Sequence, residues 1–161
     1  MSKAFGIAFG AAILVIVILV WTGFVKTRGN HLAPTGKIGK VRVQNLDKDM
    51  AMMVLDFRLD NDSDRPMIVR NIEASVELPD GDTVTGEPFA AGDVANVFRN
   101  YPLLGDQYNP PLKARDHVPP HGSIDRMVGI GLKAPPDQVE KWKHVTLRVE
   151  DITGPIAELK K

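Results

Sequence analysis

The chain has 161 residues, a length that suits one ordinary domain rather than two. Its 20 Lys and Arg residues balance its 20 Asp and Glu residues, so no overall positive charge favours binding to nucleic acid. Cysteine is absent, which excludes disulfides, iron–sulfur clusters, thiol catalysis and covalent c-type haem from this chain.

The N-terminal residues are the most apolar part of the chain. Residues 4–25 contain no charged side chain, and a helix rising about 1.5 Å per residue would carry them across a bilayer core of about 30 Å. A cleaved signal peptide has a shorter apolar region that ends in small residues, and a buried soluble helix rarely stays uncharged for so long. Here the run continues through Trp21 and Phe24 to Lys26. The sequence therefore predicts an uncleaved, single-pass transmembrane helix over residues 1–25.

Two glycines predict how this helix packs, and its flanking charges bear on its orientation. Gly6 and Gly10 have a spacing that lets a second helix approach closely, so we predict transmembrane packing along their face. The lysines and arginines around the span favour a cytoplasmic C-terminal domain. The short N-terminal tail favours the opposite orientation, because such tails are usually retained inside the cell. We expect a protein of the cell (inner) membrane with a periplasmic domain, and the orientation stays open.

After a predicted linker at residues 26–36, rich in turn-forming residues, the pattern becomes that of β-structure. Apolar and polar side chains alternate in short runs, as in strands that are half-buried in an antiparallel sheet. The predicted strands cover residues 38–43, 53–60, 72–78, 83–85, 124–132 and 145–150. We expect the core to contain Met53, Leu55, Phe57, Ile72, Val76, Val128, Ile130, Val145 and Leu147.

Two stretches predict short helices. Asp93 is expected to cap a helix that Pro102 ends, and residues 135–137 are expected to open a second one. Between them, paired prolines predict that residues 103–122 are extended and lie across the sheets, as part of a proline-rich insertion near residues 93–122. Six or seven short strands then predict an all-β fold, an immunoglobulin/fibronectin-like antiparallel β-sandwich over residues 37–161, beside the transmembrane helix and one or two short helices.

Part of the predicted domain resembles a known family. The strand ending in Leu59-Asp60-Asn61-Asp62, the turn with Pro66 and the alternating residues 68–78 resemble the late-embryogenesis-abundant type 2 domain, also called the water-stress and hypersensitive-response (WHy) domain. Residues 60–62 stand where that family has an Asn-Pro-Asn-like turn, although without its proline. The resemblance covers roughly residues 37–78 and implies a seven-stranded fibronectin-like sandwich, often tethered to a membrane, without enzymatic activity.

The side chains that could bind a metal ion or act in catalysis do not have the spacing that metal binding or catalysis requires. Arg65 and Asn71 stand where a calcium loop starting at Asp60 would need Gly and Glu. The segment from His117 to His121 contains two prolines and cannot be the helix that would place both rings on one zinc ion. No serine lies in a nucleophile elbow. We therefore predict no catalytic residue, no cofactor and no metal site.

The remaining candidates are surface residues of the insertion. Aromatic and apolar side chains gather there, and we predict that Phe98, Arg99, Tyr101 and Tyr108 contact a partner, with Leu103 and Leu104 beside them. The alternative is that the same residues plug the open end of the sandwich.

These predictions favour a non-catalytic accessory subunit of a larger membrane complex, such as a respiratory or photosynthetic assembly. Its partners would be the lipid bilayer and other membrane-protein subunits, without nucleic acid or a small-molecule substrate. Two alternatives stay open: a free-standing module that protects against desiccation or osmotic stress, and a periplasmic lipid- or metabolite-binding module.

Overall fold

The computed structural model describes residues 13–22 and 34–161, which belong to two compact units, Met1–His31 and Leu32–Lys161. In the first unit, residues 13–22 form a helix, α1, with exposed side chains. Across both described ranges, no helix is long and apolar enough to span a membrane. Gly6 and Gly10, and most of the predicted linker, lie outside the described residues.

The second unit is mainly antiparallel β-sheet, which confirms the predicted all-β class. Two short helices, α2 (Val94–Asn100) and α3 (Pro136–Val139), and a 3-10 turn at Pro102–Leu104 lie between strands. The strands are β1 (Thr35–Asp47), β2 (Met50–Asn61), β3 (Met67–Glu77), β4 (Thr83–Pro88), β5 (His117–Val118), β6 (Gly122–Leu132), β7 (His144–Asp151) and β8 (Ile156–Lys160).

The strands form one sheet that folds back on itself as a β-sandwich. Its order is β1-β2-β6-β4-β3-β7-β8, with β5 beside β3. Strand β4 joins the two layers, because residues 83–86 pair with β3 while residues 87–88 pair with β6. The edge strands β1 and β8 come close, since a β-carbon added at Gly36 would lie 3.0 Å from Cδ2 of Leu159. We call the layer of β1, β2 and β6 the first layer.

The core lies between the two layers. Alternate residues of β2, β3, β6, β7 and β8 point into it, as the period of two requires. Every predicted core residue lies in this cluster or against it, with Ile72 only partly buried at its margin. Its largest fully buried side chains include Met53, Leu55, Leu59, Met67, Ile130, Leu132, Leu147 and Leu159.

Several predicted boundaries are wrong for local reasons. Strand β1 starts at Thr35, within the predicted linker, because its pairing with β2 continues to Asp60. Strand β8 was not predicted, since it has only 5 residues and buries only Ala157 and Leu159. Helix α2 forms as predicted, but Asp93 has a helical backbone and its side chain makes no capping hydrogen bond.

Strand β2 is buried on both faces along much of its length, which corrects the prediction of a half-buried strand. Met52, Val54 and Asp56 point away from the core, yet each is less than a tenth exposed. The insertion, which in the structure begins at residue 89, covers them, because residues 89–109 lie over the outer face of the first layer. The first layer is therefore packed on both sides.

Candidate interaction surface

The insertion builds a second apolar cluster on the outer face of the first layer, here called the outer cluster. Its buried members are Met52, Val54, Val94, Leu104 and Met127, and its partly buried members are Leu46, Phe89, Val97, Phe98 and Tyr101. The strands supply one side and the insertion supplies the other. Burial of these side chains therefore stabilises the insertion as a folded layer.

Two glycines of β6 let the insertion approach the sheet. The backbone N–H of Phe89 donates to the carbonyl of Gly129 at 2.8 Å, and the Phe89 ring lies over the strand. A β-carbon at Gly129 would come 2.8 Å from Cδ2 of Phe89, and one at Gly131 would come 3.5 Å from its Cε1. The alternating glycines thus create the space that an aromatic ring fills on this face.

A buried ion pair fastens the insertion to the first layer. The guanidinium Nη2 of Arg42 on β1 lies 2.6 Å from Oδ2 of Asp56 on β2. The Nη1 atom donates to the carbonyls of Leu104 at 2.9 Å and Asp106 at 2.8 Å. The amide of Asn109 donates to Oδ1 of Asp56 at 3.0 Å. One charge pair thus holds three points of the insertion, and Arg42 and Asp56 are both less than a tenth exposed.

Aromatic rings and cations alternate beside this pair. The Lys40 ammonium lies 4.6 Å from the centroid of the Tyr108 ring. The Arg42 guanidinium carbon lies 5.2 Å from the Tyr108 centroid and 5.1 Å from the Phe98 centroid. The ring faces attract the cations, so this stack fixes the orientation of Tyr108, which is itself 58% exposed. The Nε atom of Arg42 has no hydrogen-bond partner among the described residues.

The predicted contact residues divide into two groups. Phe98 and Tyr101 are partly buried in the outer cluster, on the outer face of the first layer rather than at an open end between the layers. Arg99 and Tyr108 are exposed, and Nη1 of Arg99 lies 3.5 Å from Oδ1 of Asn96. Leu103 is 90% exposed, the most exposed large apolar side chain described. The segment 103–108, here called the insertion tip, is exposed to solvent except at the buried Leu104.

Arg42 and Asp56 were not predicted as functional residues. In a sequence, charged residues that alternate with core positions are typical of a solvated strand face. A signal was nevertheless present, because a cation and a carboxylate on two strands joined by a tight turn face the same side of the sheet. Only the insertion, folded over that side, makes the pair buried.

The turn that carries the family resemblance has a structural role at the other end of the insertion. Asn61 is fully buried, and its amide donates to the carbonyls of Arg65, Val118 and Pro119 at 2.7, 3.2 and 3.1 Å. Its Oδ1 accepts hydrogen bonds from the backbone N–H and the hydroxyl of Ser63. Asn61 therefore ties the turn after β2 to the segment that leads into β6.

The neighbouring residues Asp60 and Asp64 contact different partners rather than gathering in one place. Asp60 lies 3.3 Å from Arg58, and Asp64 lies 2.7 Å from Nε2 of His121. In the part of the chain that the structure describes, no three His, Asp or Glu side chains converge as metal ligands would.

The second layer carries exposed ion pairs. Arg148 lies 3.9 Å from Glu73 and 3.8 Å from Glu158, and Lys160 lies 2.6 Å from Glu158. The hydrogen bond from Lys160 and its positive charge, with Arg148 nearby, lower the pKa of the Glu158 carboxyl below its ordinary value. Exposed pairs of this kind contribute little stability. The buried pair and the exposed apolar tip distinguish the first layer.

Comparisons with known proteins do not assign this chain to a family. No protein-family model matches the chain, and no curated protein matches it. The chain is similar to an uncharacterised β-sandwich protein from Clostridium difficile 630, with 11% identity, coverage of 81% of this chain and 80% of that chain, and a TM-score of 0.35. It is also similar to the archaellum periplasmic stator protein FlaG from Sulfolobus acidocaldarius, with 9% identity, coverage of 81% and 100%, and a TM-score of 0.34. We draw no functional conclusion from either likeness.

Proposed function

We propose that this chain is a non-catalytic accessory subunit that is anchored in the cell membrane and stabilises a larger membrane protein complex. The uncharged residues 4–25 are the single-pass anchor, and Gly6 and Gly10 form its packing face. The β-sandwich lies on the periplasmic side and presents the insertion tip to a neighbouring subunit. Respiratory and photosynthetic assemblies are the classes of complex that we would examine first.

The exposed Leu103 is the observation that carries this proposal. Its neighbour Leu104 is buried in the outer cluster, and the Leu104 carbonyl accepts a hydrogen bond from Arg42. Pro102 starts the short 3-10 turn that holds Leu103 in place. An apolar side chain on such a fixed turn loses little conformational freedom on binding, which favours a contact of useful affinity. Tyr108, held by two cations, adds the residue type that is enriched at interfaces.

We further propose that the sandwich is of the immunoglobulin/fibronectin-like type that the family resemblance implies. The arrangement of β1, β2 and β6 against β4, β3, β7 and β8 supports this type. The insertion would then be an addition to the sandwich rather than part of it.

The alternative functions receive less support. A lipid- or metabolite-binding module needs an apolar cavity between the layers, and large buried side chains of both layers fill that space. A free-standing stress-protection module has no need of a fastened insertion that holds an apolar side chain out in solvent.

Co-purification from native membranes tests the proposed function. We would tag the full-length chain, extract it in mild detergent and compare the wild type with Leu103→Asp. The matched control is Ile152→Asp, which alters a side chain that is 57% exposed next to β7. We expect a stoichiometric membrane-protein partner with the wild type and the control, and its loss with Leu103→Asp. A wild-type chain that always runs alone would refute the proposal.

A further inference from the structure

We infer that the corner formed by Lys40 and Tyr108 binds a carboxylate side chain of the partner protein, an inference that rests on the proposed function and specifies its partner. The Lys40 Nζ lies 3.4 Å from the Tyr108 hydroxyl oxygen, which accepts the hydrogen bond. The phenol O–H has no acceptor within hydrogen-bond distance among the described residues. An ammonium and a phenol held side by side can both donate to one carboxylate.

The charge balance of the first layer supports an acidic partner. Its arginines are paired, Arg42 with Asp56, and Arg58 with carboxylates on its own and the next strand. Within the described residues, neither Lys37 nor Lys40 has a carboxylate within 4 Å. Lys40 therefore brings a positive charge without an ion-pair partner beside Tyr108, and the carboxylate opposite it in the register, Asp56, is engaged by Arg42. A partner carboxylate would complement this charge.

The surroundings of this corner suit a short protein segment. Next to it lies a groove of about 190 Å³, lined by Lys37, Gly39, Asp56, Phe57, Arg58, Asn109 and Asp125. Its two carboxylates are already engaged, Asp56 by Arg42 and Asp125 by Arg58. The carbonyls of Leu104 and Asp106 bind the same nitrogen of Arg42, which folds the insertion tip around that side chain. The same Arg42 guanidinium lies beside the Tyr108 ring, so the exposed Leu103 and Tyr108 flank a segment that is fixed to one side chain. A partner segment that carries an acidic side chain and an apolar contact for Leu103 would fit this surface.

An anionic lipid surface fits less well than a protein. Asp106 on the insertion tip and Asp125 in the lining of the groove are exposed. A layer of anionic headgroups presents negative charge everywhere and would meet both carboxylates, whereas a protein can place one carboxylate at Lys40 and avoid the others. This difference favours the protein partner, and the experiment includes the lipid as an outcome.

A charge reversal tests the inference. We would embed the full chain in nanodiscs of neutral phosphatidylcholine and select binders from a random heptapeptide display library. The wild type should enrich peptides with Asp or Glu next to an aliphatic residue, and Lys40→Glu should switch the enrichment to Lys or Arg. The synthetic consensus peptide should bind Lys40→Gln at least about tenfold more weakly than the wild type, because a charge-assisted hydrogen bond is lost. Lys48→Glu, at an exposed lysine of the β1–β2 turn, should bind it as the wild type does.

Four outcomes would overturn the inference. In the first, the wild type enriches no acidic peptide. In the second, the consensus peptide binds the Lys40→Glu variant as tightly as it binds the wild type. Alternatively, hydrogen exchange of residues 103–108 slows when phosphatidylglycerol replaces phosphatidylcholine but not when the peptide is added, which would assign the corner to anionic lipid. In native membranes, a partner lost with Leu103→Asp but kept with Lys40→Glu would also overturn the inference while leaving the proposed function standing. A wild-type chain without a partner would overturn the proposed function and the assignment of the carboxylate to that partner, whereas the nanodisc result separately shows whether the corner binds a carboxylate.

Discussion

The ion pair of Arg42 and Asp56 gives a prediction whose size follows from its burial. Arg42→Met leaves the Asp56 carboxylate in a site less than a tenth exposed, with only the Asn109 amide as a described partner. The carbonyls of Leu104 and Asp106 lose their shared donor as well. Removing one member of a buried pair costs about 3–5 kcal/mol, so we expect a loss of that order in the free energy of unfolding.

A double variant separates the charge from the packing. Arg42→Met combined with Asp56→Leu removes both charges and fills the site with apolar atoms, an exchange that is often neutral for buried pairs. We therefore expect it to recover most of the loss. Urea unfolding of the full chain in mild detergent, followed by circular dichroism, measures both free energies, and hydrogen exchange of residues 103–109 reports whether the insertion tip detaches. An Arg42→Met variant within about 1 kcal/mol of the wild type, or a double variant no more stable than the single one, would refute the reasoning.

Three further predictions concern the insertion and the anchor. Phe98→Ala should lower the free energy of unfolding by about 2–4 kcal/mol, because the ring packs in the outer cluster. Arg99→Ala, at the exposed neighbouring residue, should change it little. Equal melting temperatures for these two variants would contradict the packing of Phe98. Gly129→Ala should cost about 1–3 kcal/mol because its methyl group meets an aromatic ring, and Gly39→Ala, with only ordinary contacts, should cost less in the same urea titration. Gly10→Leu should release the partner from a folded domain, and unchanged co-purification would show a lipid-exposed face.

The core of the sandwich could be predicted because it depends on local alternation. In β2, β6 and β7 the side chains that face the core between the layers recur at every second position, and this pattern needs no knowledge of the partner strand. Strand β8 could not be predicted from the sequence, because it is short and contains a small residue and charged residues. Its assignment depends on pairing with β7, a contact that only the folded chain shows.

The candidate site could be predicted only in part because it depends on contacts distant in sequence. The aromatic residues of the insertion were identified, but whether each faces the sheet or solvent follows from the geometry of the outer cluster. The charges of Arg42 and Asp56 are typical of a solvated face. The insertion residues that hydrogen-bond to them, Leu104, Asp106 and Asn109, lie far beyond both in the sequence. A period of two predicts which face a residue occupies, but not what covers that face.

Site-specific cross-linking in intact membranes tests the central claim most directly, namely that the insertion tip contacts a partner subunit. A photoreactive amino acid would replace Leu103 in the full-length chain, with the same replacement of Ile152 as the control. Both side chains are exposed apolar residues, at 90% and 57%. We predict one dominant cross-linked membrane protein from position 103 and none from position 152. Equal cross-linking from both positions, or none from position 103, would contradict the account.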